Sequence, residues 1–168
     1  WCQNDDGSVL VMQSDQILNL PSLSDYIQIG LVKKDLSFEH LANTSAWNFQ
    51  QGAMLQWIGM AKTSSLIFNV RDLDGEIRSA IFDSRSKLVK MLPSPIYSVS
   101  VDGSMAVTID FKNLWLNRPE YSYFFDKSYG SGNARCGISL FFIVGQSNSR
   151  CILYEDSLWE SLITTAWS

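Results

Sequence analysis

One phrase constrains the fold of this chain more than any other, because it is written three times. It reads LVKKDLSFEHL at 31–41, IFDSRSKLVKML at 81–92 and FIVGQSNSRCIL at 142–153. Each copy is an apolar run, about four polar residues and a shorter run ending in leucine, which is the pattern of a β-hairpin. Leu31 to Ile81 is 50 residues and Ile81 to Phe142 is 61. Turn glycines keep a similar beat, with Gly7 to Gly59 at 52 and Gly59 to Gly103 at 44. Repeats of about 40–50 residues, each with four short strands, are the sequence form of β-propeller blades.

The spacing divides the chain into blade-like units at 1–52, 53–95 and 96–156, with a short C-terminal helix or tail at 157–168. In the second unit the strands read as 54–58, 65–70, 77–82 and 87–92, and Asp72-Leu73-Asp74-Gly75 makes the turn between the middle two. The third unit reads as strands at 97–101, 105–111 and 137–144, split by a long aromatic-rich loop at 112–136. Ser157 and Glu160 fit a capping box that opens the terminal helix. The fold expected is all-β: a partial propeller of about three four-stranded antiparallel blades.

Composition narrows the function. With 46% hydrophobic and 18% charged residues, the chain is globular rather than disordered. A net charge of −4 and scattered basic residues exclude a nucleic-acid footprint. No apolar run reaches the ~20 residues that span a bilayer. Cys2, Cys136 and Cys151 form no C-x-x-C pair, and their odd number reads as reduced thiols, which leans towards a cytoplasmic setting. A first residue of Trp1 without a basic and apolar leader reads as a processed or partial chain.

The phrase SVDGSMAV at 100–107 resembles the S-P-D-G-x-x-L-A repeat of TolB-like and WD40-like propellers, with Val101 in the place of proline. The segments AWNFQQGAMLQW (46–57), IFNVRDLDGEI (67–77), LPSPIYSVSVDGSMAVTIDF (92–111) and LNRPEYSY (116–123) are similar to uncharacterised bacterial propeller proteins. The resemblance covers roughly 25–155 and implies a TolB-like propeller of six or so blades. About three are present, so ring closure requires further sequence, a second copy or another partner to cover the open blade edges.

Three constellations offer chemistry. Trp47, Phe49, Gln50 and Gln51 combine aromatic faces with amides, the equipment for stacking on sugars and bonding their hydroxyls. Packing between blades is the structural alternative. Arg71, Asp72 and Asp74 lie at a strand end, where Arg71 either clamps an anion or pairs with a neighbouring aspartate to fix the turn. Arg118, Tyr121 and Tyr123 open the long loop and suit either a ligand rim or a rigid connector around Pro119. The sole histidine, His40, has no companion for a histidine metal site, and no G-x-S-x-G elbow accompanies any serine. Asp102 is better suited to capping a turn than to catalysis. The expected function is therefore a non-catalytic binding or scaffolding module for a carbohydrate or protein ligand, with no cofactor and no metal. The alternative is a fragment of a carbohydrate-active propeller enzyme whose remaining catalytic residues lie outside this chain.

Overall fold

The structure, a computed structural model, describes residues 7–15, 20–58, 65–83, 87–126, 137–143 and 150–152. It contains three small antiparallel sheets that follow one another along the chain. The first has strands β1 (Val9–Gln13), β2 (Ile27–Val32) and β3 (Phe38–Thr44) in that order. The second has β4 (Gln56–Trp57), β5 (Ser65–Arg71), β6 (Ile77–Asp83) and β7 (Lys87–Leu92), again in chain order. The third is formed by β8 (Ser98–Val99), β9 (Met105–Ile109), β10 (Ile138–Phe142) and β11 (Arg150–Ile152). The expected all-β character is present, and the strands of the three expected hairpins pair antiparallel as β2 with β3, β6 with β7 and β10 with β11. The first sheet has three strands among the described residues, not four.

Residues 66–70 form a nearly unbroken apolar run because their sheet is buried on both faces. Leu66 and Phe68 of β5 and Ala80 of β6 pack with Ile27, Ile29, Leu31 and Leu41 of the first sheet. On the other face, Ile67, Ile77, Ile81 and Leu92 pack with Ala106, Phe111, Tyr123, Phe125 and Ile143. Alternation along each strand thus divides one sheet between two cores. Burying each large aliphatic or aromatic side chain contributes about 1.5–3 kcal/mol. Both outer pairings, β2 with β3 and β6 with β7, carry a register shift. In the first, Gly30 makes room for Phe38: an added Cβ would lie 2.4 Å from the phenyl ring and 2.5 Å from the Glu39 carbonyl.

Strand ends depart from the sequence expectation for local reasons. Met54 has a φ of 54°, which keeps the first strand of unit two from starting before Gln56. Strand β9 stops at Ile109 because Asp110 caps a helix, α1 (Phe111–Asn117), with its carboxylate accepting from Asn113 N at 2.9 Å. The stretch expected as a long loop therefore opens with helix α1 and a 3-10 turn (Pro119–Tyr121). Phe111, Leu114 and Trp115 fall at helical spacing and turn towards the second core. The expected C-terminal helix lies outside the described residues.

Polar side chains tie the layers together. Gln56 Oε1 accepts from Val99 N at 3.1 Å, linking β4 to β8. Asn69, fully buried on β5, has a denser set of partners. Its Nδ2 donates to Ile96 O at 2.8 Å and to the Tyr123 hydroxyl at 2.7 Å, while Oδ1 accepts from Ile96 N at 2.8 Å. Its backbone N–H reaches Ala53 O at 2.8 Å, and its carbonyl accepts from Thr44 Oγ1 at 2.8 Å. One residue thus fastens both inter-sheet connectors and the insertion after α1.

Candidate functional site

An open cleft of about 510 Å³ lies where the end of β1 meets the connector between the first two sheets. Its floor is built by a tight loop. Asn48 N donates to Gly52 O at 3.2 Å, Gly52 N returns to Asn48 O at 2.9 Å, and Gln51 N donates to Asn48 Oδ1 at 2.7 Å. Gly52 adopts a φ of 59°, and a Cβ there would meet the Met12 methyl at 2.2 Å. The Met12 thioether also accepts from Ala53 N at 3.2 Å. Asn48 is 3% exposed, and its Nδ2 donates to Tyr121 O at 3.3 Å. The loop is thereby held before any ligand arrives.

Four residues expected to bind ligand, Trp47, Phe49, Gln50 and Gln51, line this cleft together. Trp47 is 3% exposed, and its indole N–H donates to Asp25 O at 2.9 Å. Phe49 meets the Trp47 ring edge-on at 5.1 Å and remains 48% exposed. Trp47 is the fixed support and Phe49 the accessible face. Gln50 is exposed. The Gln51 amide donates to the Tyr97 hydroxyl at 3.2 Å, while its Oε1 is buried without a hydrogen-bond partner. Met12, Ser14, Ile27, Asn48 and Gly52 complete the lining.

The other sequence-flagged residues lie away from the cleft lining. Asp72 pairs with Arg78 across the β5–β6 turn and accepts from Asp74 N and Glu76 N, both at 3.0 Å. The Arg78 guanidinium, with those backbone donors, holds the Asp72 carboxyl below its usual range. The Arg71 guanidinium donates to Gly75 O at 2.8 Å and Phe124 O at 2.7 Å, and lies 5.7 Å from the Phe125 ring centre. It fastens the turn to the insertion. Arg118 pairs with Glu120 at 2.7 Å and covers the Tyr121 ring at 5.0 Å, at the surface. Tyr121 reaches the cleft only through its carbonyl on Asn48.

Tyr123 is a core residue rather than part of a rim. It is fully buried, stacks on Phe111 at 4.6 Å, and its hydroxyl accepts from Asn69 Nδ2. Burial pushes its phenol pKa upward, so it stays neutral. Asp102 caps the β8–β9 turn. The Ser100 hydroxyl foremost, then the Ser104 backbone and hydroxyl, hold its carboxyl at about 2. His40 lies on the outer strand β3, with Nε2 2.8 Å from Asn43 Oδ1. Among the described residues, no three His, Cys, Asp or Glu side chains are grouped to hold a metal ion, and no helix is long and apolar enough to cross a membrane. No family model, curated protein or solved structure matches the chain.

Proposed function

We propose that this chain is a non-catalytic binding module built from propeller blades, and that its ligand is a carbohydrate held in the cleft beside Phe49. One observation carries the reading: Trp47, Phe49, Gln50 and Gln51 converge on one open cleft with an aromatic face exposed. The propeller reading is supported by three antiparallel meanders laid out in chain order, two of them four-stranded, with the middle sheet packed between the other two. The outward faces of the first and third sheets would then be covered by further blades, by a second copy or by another protein.

Calorimetric titration of the chain with neutral oligosaccharides and short peptides tests the proposal. Phe49→Ala is the informative variant, because Trp47 supports the fold through Asp25. Losing a stacking face worth about 1.4 kcal/mol weakens sugar binding about tenfold. Melting temperature should stay unchanged. An affinity equal to the parent's, or heat from peptides alone, would overturn the sugar assignment.

A further inference from the structure

The chemistry of the cleft narrows the class of sugar. Among the described residues lining it there is no lysine or arginine, so a bound anion has no counter-charge. Trp47, which lines the cleft, hydrogen-bonds through its indole to the backbone of an acidic residue, Asp25. The Asp25 carboxylate accepts from Ser22 N and Ser22 Oγ, both at 2.8 Å, contacts that favour its charged form. The chain as a whole carries −4, which further disfavours approach of an anion.

One amide in the lining is half-used. The Tyr97 hydroxyl serves one end of Gln51, and Oε1 at the other end is buried and unpaired. An unpaired buried acceptor is unfavourable, and a donor brought by a ligand would recover that loss. A sugar hydroxyl both donates and accepts, so it matches either end of the amide.

From this juxtaposition we infer that the cleft selects uncharged sugars over acidic ones, and that Gln51 is the residue that reads a ligand hydroxyl. The inference rests on the carbohydrate reading above. Its test is calorimetric titration of the whole chain with cellotetraose, maltotetraose and mannotetraose, against tetragalacturonate as the acidic counterpart. A neutral tetramer should bind at least tenfold tighter than tetragalacturonate. Gln51→Leu should weaken that binding about tenfold, and the size-matched Gln51→Glu should weaken tetragalacturonate further. Melting curves establish that both variants are folded. Equal or tighter binding of tetragalacturonate overturns the selectivity and leaves the binding module standing. Parent-like affinity in Gln51→Leu overturns the role of Gln51. Silence from all four sugars overturns the carbohydrate reading itself.

Discussion

Replacing Asn69 by leucine removes the side chain that ties β5 to the Ile96 connector and to Tyr123 of the insertion, while its backbone bonds to Ala53 and Thr44 remain. Leucine keeps the branching of asparagine, so little packing is lost, and the missing hydrogen bonds together with the extra room its methyls need decide the outcome. Three buried partners lose their contacts: the Ile96 N–H, the Ile96 carbonyl and the Tyr123 hydroxyl. The Ser79 hydroxyl is spared, since it lies 2.6 Å from Ser94 O and only 3.2 Å from Asn69 Oδ1. Each orphaned group costs about 1–3 kcal/mol, and partial relaxation brings the total to about 3–5 kcal/mol. Against a domain stability of about 5–15 kcal/mol, such a loss is readily measured. Urea denaturation followed by tryptophan fluorescence should show a lower midpoint with an unchanged slope. Tyr123→Phe in the Asn69→Leu background should cost less than in the parent, because the hydroxyl has already lost its donor. A loss below about 1 kcal/mol for Asn69→Leu, or strict additivity with Tyr123→Phe, would refute the idea of a shared hub.

The cleft loop and the β8–β9 turn give two further tests. Gly52→Ala faces both a φ of 59° and the Met12 methyl, so a loss of about 1–2 kcal/mol is expected. Met12→Ala in the same chain should recover the steric part and leave the backbone part, as read from urea midpoints. Asp102 has a folded pKa of about 2 against an ordinary 3.8, so its stabilising effect is present above the higher value and lost as pH falls through the lower. Between about pH 5 and 2, Asp102→Asn should therefore flatten the decline of stability with acid. A carboxyl titration of Asp102 centred near 4 in the folded chain would contradict the turn geometry.

The second sheet was legible because its strands are apolar runs separated by a turn rich in Asp and Gly, and both signals are local. Helix α1 was not: seven residues give two turns, too few for a period to stand out beside the strand before it. Trp47, Phe49, Gln50 and Gln51 were visible as an unusual composition, yet Met12 joins them from about forty residues away through the pairing of β1 with β2. Gly52 and Asn48 offered a hint, since a glycine four residues after an asparagine allows a closed loop. Tyr123 carried no local sign of burial, because only the arrival of Phe111 from α1 and Asn69 from β5 encloses it. The sequence leaves Arg71 either to clamp an anion or to pair with a neighbouring aspartate, and cannot show that antiparallel pairing of β5 with β6 brings Arg78 alongside Asp72.

The two apolar faces of the middle sheet bear on how such a chain can lengthen. A unit with one greasy face and one wet face ends a row, whereas a unit greasy on both sides demands a neighbour on each. Copying the segment that encodes the middle sheet would reproduce both apolar faces together, but the junction between parent and duplicate would be a new pairing of one face with the other. Point changes at Phe68 or Ile67 would instead damage one junction and spare the other. The junction between sheets, more than the sheet itself, is therefore what any added unit has to fit.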